Sequence, residues 1–181
     1  WPGLEHEDWR YGPIKKNAGK WDALADFSAI HLFPTVIVFV ACLPIYAAVA
    51  MDAQPLNWLD YVAAAATAIA ILIELVSDIQ LHKFINERKE GDIMKTGLWA
   101  YSRHPNYFGE WLFWAGLAVF GVAAVPDAWW WVLPGALAML AMFLLASIPM
   151  IDKRSMERRP AYAEHMSQVS GFVPWFPKKS A

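Results

Sequence analysis

The sequence predicts an all-α integral membrane protein with about four transmembrane helices and both termini on the cytoplasmic side. Three observations carry that prediction. First, of 181 residues 57% are hydrophobic and 18% charged, against about 45–50% apolar and about 25% charged in soluble domains. Second, the apolar excess is gathered into four stretches, residues 27–51, 56–84, 107–125 and 128–151. Each is long enough, at about 1.5 Å per residue, to cross a hydrocarbon layer of about 30 Å. Third, the lysines and arginines fall in three places only. Arg10, Lys15, Lys16 and Lys20 precede the first stretch; Lys83, Arg88, Lys89, Lys95 and Arg103 lie between the second and third; Lys153, Arg154, Arg158, Arg159, Lys178 and Lys179 follow the fourth. The connections at residues 52–55 and 121–127 carry acids but no base. With four spans the three basic groups share one side, and the positive-inside rule makes that side cytoplasmic. With a net charge of −2, no nucleic-acid partner is expected.

In chain order, residues 1–26 read as a polar cytoplasmic lead, with Pro2 and Pro13 as breakers and no signal-peptide pattern. Residues 27–151 form the transmembrane domain. Its first span holds His31, the kink candidates Pro34 and Pro44, and the single cysteine, Cys42, which supports neither a disulfide nor a metal site. The second span is Ala- and Ile-rich through Ile73 and then turns polar. A signature loop, residues 85–106, leads into the third span, where Gly116 and Gly121 allow close helix contacts. Trp129, Trp130 and Trp131 suit a non-cytoplasmic aromatic belt. The fourth span is expected to end at Pro149, and residues 152–181 form a cytoplasmic amphipathic segment and tail.

The chemistry gathers in three places. Glu74, Ser77, Asp78 and His82 share one helical face by their spacing of three and four. Glu74 lies about 13 Å inward from Lys83, so this face reads either as a polar cavity wall or as structural partners for Arg103 or His104. The second place is GLWAYSRHPNYFGEW, residues 97–111. Arg103 offers a fork for phosphate or carboxylate, and Asn106 both donates and accepts, as a carboxamide ligand requires. Tyr101 and Tyr107 supply rings and hydroxyls. Pro105 pre-sets the helix entry and puts Asn106 and Tyr107 in the first turn, at the positive end of the helix dipole, a place for an anion. The competing reading has Arg103 and Lys95 holding lipid head groups. The third place runs from Asp152 through Lys153, Arg154, Glu157, Arg158 and Arg159 to Tyr162 and His165; it serves either to orient the chain or to contact phosphate. His31, His82, His104 and His165 have no metal-ligand spacing, and no metal is expected. Gly91, Gly97 and Gly109 form neither a dinucleotide fingerprint nor a phosphate loop, so any nucleotide site must be built between helices.

The signature resembles that of the bacterial membrane proteins grouped with the steroid 5α-reductases. EDWRY at residues 7–11, the Ser77-Asp78-Ile79-Gln80 run, and RPAYAEH followed by GFVPWFP at residues 159–177 match in the same order. A similar Arg-His-Pro-Asn-Tyr block occurs in sterol C14-reductases, and a related one in isoprenylcysteine carboxyl methyltransferases. The resemblance implies the C-terminal part of a steroid 5α-reductase-like bundle in a bacterial inner membrane. It implies NADPH held by the C-terminal helices and hydride transfer to the C=C bond of a lipophilic enone, sterol- or isoprenoid-like. By position Asn106 would bind the nicotinamide amide, Tyr101 and Glu110 would line the cofactor pocket, and Asp78 would hold the nucleotide end with Arg88 and Lys89 on phosphate. Arg103, His104 and Tyr107 belong to the same cofactor-binding block. Family members carry further spans before the EDWRY region, with the acid and tyrosine that polarise the substrate, so this chain is expected to be a piece of a longer protein or a relative with an incomplete site. The methyltransferases have paired glutamates where Asp152-Lys153-Arg154 stands here, which favours the reductase. The alternatives are an S-adenosylmethionine-dependent methyltransferase and a non-catalytic subunit of a larger membrane complex. Membrane lipids and a lipophilic small molecule are the expected partners.

Overall fold

The computed structural model describes Trp9 and residues 11–178; most of the EDWRY match, and Lys179, lie outside the described residues. Every regular element among them is helical, and one isolated parallel bridge joins Ser102 to Ser170. Four helices are long and apolar enough to cross a membrane: Lys15–Ala50, Trp58–Glu87, Pro105–Ala124 and Pro126–Arg158. The chain is a membrane protein, and it divides into two compact units at Val40 and Ala41.

The first unit holds α1 (Tyr11–Ala18), a 3-10 turn, α2 (Asp22–Ala25), a π-helical stretch over Asp26–Leu32 and the start of α3 (Phe33–Ala50). The lead expected over residues 1–26 is thus helical from Tyr11, and the first span begins earlier than its apolar run. Pro34 lacks the amide that would turn back to Ile30, and the wider π register directly precedes it. Asp26 accepts from Lys15 at 3.2 Å and faces His31 at 3.6 Å.

In the second unit α4 (Trp58–Glu87) begins at a capping box. Asn57 Oδ1 accepts from the Leu59 amide at 3.0 Å, and Asp60 Oδ2 accepts from the Asn57 amide at 2.7 Å. Asn57 Nδ2 then donates to Ala123 O at 3.1 Å, tying this end of α4 to the end of α5 (Pro105–Ala124). Trp58, Tyr61, Trp129 and Trp130 are exposed at the same end, as an aromatic belt requires. Trp131 turns inward onto the cluster of Ala47, Ala128 and Val132.

The contact between α4 and α5 is a seam of small residues. Ala63, Ala70 and Ser77 are buried at intervals of seven on α4, facing Gly109 and Gly116 of α5. A Cβ on Gly109 would stand 2.9 Å from Glu74 N and 3.0 Å from Ala70 O. Those are backbone atoms, so close approach here demands glycine. A Cβ on Gly116 would meet Thr67 Oγ1, which donates to Ala63 O at 2.8 Å. Gly109→Ala is therefore expected to destabilise by about 1–3 kcal/mol, as overpacking does. The readout is a lower thermal midpoint in detergent micelles, with Gly12→Ala, whose added carbon meets nothing within 4 Å, as the neutral control.

The fourth span comprises a 3-10 turn, α6 (Trp129–Met142), a π-helical stretch over Phe143–Ser147 and α7 (Ile148–Arg158). Pro149, expected to end this span, instead lies in the first turn of α7. Its ring cannot donate to Leu145 O, and the π stretch absorbs that loss by changing register, so the helix continues to Arg158. A short α8 (Tyr162–Gln168) follows.

At 30 residues α4 is about 45 Å long. If the hydrocarbon begins at Trp58, about 30 Å of it ends near Asp78. The last turns of α4 therefore stand beyond the apolar layer, where they wall the site described next.

Candidate functional site

Asp152 is the centre of the polar cluster at the basic end of the second unit. It is 5% exposed and reaches the buried stripe of α7 because Ile148 and Ser155 lie one turn to either side. Its Oδ2 accepts from Arg103 Nη2 at 2.7 Å. Its Oδ1 accepts from Tyr162 Oη at 2.8 Å and from His104 Nε2 at 3.0 Å, with Arg103 Nε at 3.4 Å. Arg103 Nη1 donates to Val169 O at 2.7 Å and Met166 O at 3.1 Å. The backbone continues the join: Arg103 N donates to Ser170 O, Ser102 Oγ to Phe172 O, and Trp175 N to Tyr101 O. The guanidinium expected to receive a ligand's phosphate or a lipid head group is thus occupied by the protein and clamps the C-terminal tail. Nor do Arg103 and His104 pair with Glu74 or Asp78; their carboxylate is Asp152.

The signature loop is docked on α4 from the other side. Gln80 Oε1 accepts from the Leu98 amide at 2.9 Å, and Trp99 Nε1 donates to Ser77 O at 3.1 Å. Gly97 turns the chain at φ +63°, with its Cα against the Gln80 carboxamide, so only glycine fits. The Ser77-Asp78-Ile79-Gln80 run owes two of its residues to this joint.

Held between these joints is a cavity of about 270 Å³. Leu81, Phe84, Ile85 and Arg88 line it from α4 and its cap, Met94 and Trp99 from the loop, and His104, Asn106 and Tyr107 from the signature. Ser155, Arg159, Tyr162 and His165 close it from the C-terminal side. Arg88 and Arg159 also line a second cleft of about 330 Å³ with Lys89, Glu90, Gly91 and Arg158. Among the described residues the Asn106 carboxamide has no hydrogen-bond partner. The His104 ring stacks on Tyr107 at 5.8 Å, and Tyr107 stacks on Phe143 at 4.8 Å.

The nine residues expected to hold a cofactor therefore do not all converge. Arg88, His104, Asn106 and Tyr107 share the cavity; Lys89 lies in the adjoining cleft, and Arg103 reaches the cavity wall already paired. Asp78 instead lines an open groove of about 800 Å³ along α4 with Glu74, His82 and Lys83. Glu110 lines neither hollow. Tyr101 is exposed and meets Phe176 edge-on at 6.0 Å. Asp78 and Asn106 thus open onto different hollows, while Glu110 lies within electrostatic reach of Glu74 and Asp78.

Electrostatics sharpen the cavity's character. Burial, then Arg88 and Arg158, hold the Arg159 guanidinium below its ordinary pKa, so a bound anion would relieve mutual repulsion. Burial and Asp152 push the Tyr162 hydroxyl above its ordinary value and keep it a donor. His165, 3% exposed, is held below its ordinary 6.5 by burial, then by Lys95 and Arg103. A depressed imidazole means that the unfolded chain binds more protons between the two pKa values. Stability is then full above pH 6.5 and falls as pH drops toward the folded value. Thermal midpoints are expected to show that decline, and His165→Gln to lose this share of it.

Four helices apolar enough to cross a membrane, with a polar cavity at the basic end of the second unit, define a helical membrane protein. The chain belongs to the family described as Protein of unknown function (DUF1295), whose profile matches residues 2–169. It is similar to Uncharacterized protein C594.04c of Schizosaccharomyces pombe, 24% identical over an alignment of 189 positions that covers 93% of this chain and 55% of that protein. The chain thus spans about half the length of that relative. No solved structure matches it.

Proposed function

We propose that this chain binds NADPH at the cytoplasmic end of its spans and belongs to a membrane reductase of lipophilic enones, as its resemblance to the steroid 5α-reductases implies. One observation carries the reading: the unpartnered Asn106 carboxamide and the cations Arg88 and Arg159 line one cavity, which adjoins a cleft bearing Lys89 and Arg158. That donor set fits the group. A carboxamide pairs with a nicotinamide amide, guanidinium forks with phosphate, and the His104–Tyr107 stack offers a flat wall to a ring. NADPH, when bound, supplies a hydride. The chain's own part is to orient the dinucleotide through Asn106, neutralise phosphate charge through Arg88, Lys89 and Arg159, and exclude water with Phe84, Ile85 and Met94. The substrate is a sterol- or isoprenoid-like molecule that arrives from the bilayer.

Titrating the purified chain with NADPH and following nicotinamide fluorescence tests this directly. Saturable binding is expected, with S-adenosylmethionine failing to compete. Saturable S-adenosylmethionine binding without NADPH binding would make the chain a methyltransferase instead. Binding of neither, together with stoichiometric co-purification in an assembly, would make it a non-catalytic subunit.

A further inference from the structure

The C-terminal tail carries a feature that the cavity does not use. Val173, Trp175 and Phe176 are 51%, 70% and 77% exposed in succession, yet this stretch is not loose. Trp175 N donates to Tyr101 O at 2.9 Å, and Lys178 N donates to Gln168 O at 2.9 Å. Phe172 anchors it from beneath, with ring centroids 5.6 Å from Phe108 and 5.8 Å from Trp111. Tyr101, Phe176 and Trp175 form a chain of edge-on rings, at 6.0 and 6.4 Å. The result is an aromatic ridge held out from the protein with its backbone fixed.

Position says what this ridge meets. Tyr101 stands four residues before Pro105, the first residue of a membrane-spanning helix, so the ridge sits at the level where hydrocarbon gives way to head groups. Aromatic rings prefer that layer, and Lys178 at the ridge's edge complements anionic head groups. Because the backbone is already fixed, insertion orders little that was free.

We propose that Val173, Trp175 and Phe176 insert into the head-group boundary of the bilayer beside the mouth of the third span. Through Trp175 N–Tyr101 O, the bound lipid surface then steadies the segment that carries Arg103 and His104. This does not depend on which cofactor occupies the cavity.

The test places a bimane label at Trp175→Cys in a Cys42→Ser background, with the full chain in nanodiscs of phosphatidylcholine and phosphatidylglycerol. A nitroxide near the head of the acyl chain is expected to quench the label several-fold more than one near the chain end, and aqueous iodide to quench it little. A parallel label at Phe176→Cys should repeat the pattern, whereas Ala163→Cys, exposed on α8 and outside the hollow that the tail lines, should respond to iodide. Strong iodide quenching at both tail positions would show a ridge facing water. Protection from both nitroxide and iodide would show a protein partner covering it. Either result overturns the proposal.

Discussion

Replacing Asp152 by asparagine is expected to destabilise the chain by about 3–5 kcal/mol, the range for breaking a buried ion pair from one side. The substitution keeps shape and removes charge. One carboxylate oxygen accepts from Arg103 Nη2, and the other from Tyr162 Oη and His104 Nε2. An asparagine amide in either orientation would point its NH2 at one of those donors, and the Arg103 guanidinium, 11% exposed, would be left without its counter-charge. The thermal midpoint in micelles reads the loss. Arg103→Met combined with Asp152→Leu should cost less than the sum of the two single changes, since removing both charges leaves neither stranded. Additive losses would mean that the two side chains do not act as a pair.

That cluster also shows where sequence reasoning reaches and where it stops. The spans are legible because apolar runs of such length suit a bilayer, and counting those runs gives the four helices that the structure shows. The small-residue seam is half legible: Gly116 stands out in an apolar helix, whereas the role of Gly109 depends on Glu74 and Ala70 of another helix, which no spacing along its own helix reveals. Arg103 was visible as a functional side chain, but a guanidinium fork fits an internal carboxylate as well as it fits phosphate. Only the distance to Asp152 decides. A signal for Asp152 did exist, since it falls one turn after Ile148 on the buried stripe of α7, but the bases around it made the whole stretch read as a charged surface. Asp78 and Asn106 illustrate the other limit. Both lie near the mouth of a span, and spacing along one helix cannot tell which hollow each opens onto.

The sharpest test of the site itself is Asn106→Ala. The Asn106 carboxamide has no partner among the described residues, so its removal should leave the unfolding midpoint unchanged. If it receives the nicotinamide amide, the loss leaves the ligand's polar atoms unpaired and weakens NADPH by about 1–3 kcal/mol, or roughly 5- to 150-fold in Kd. Arg159→Gln should act differently. It removes a charge that Arg88 and Arg158 already disfavour, so the free protein gains or loses little stability. NADPH affinity should nevertheless fall, and its dependence on ionic strength should flatten, because one screened cation–phosphate attraction is gone. The two variants thus separate the ends of the ligand, one with a salt-independent loss and the other with a salt-dependent one. Wild-type affinity in Asn106→Ala would move the amide elsewhere, and an unaltered salt response in Arg159→Gln would take the phosphates out of the basic cleft.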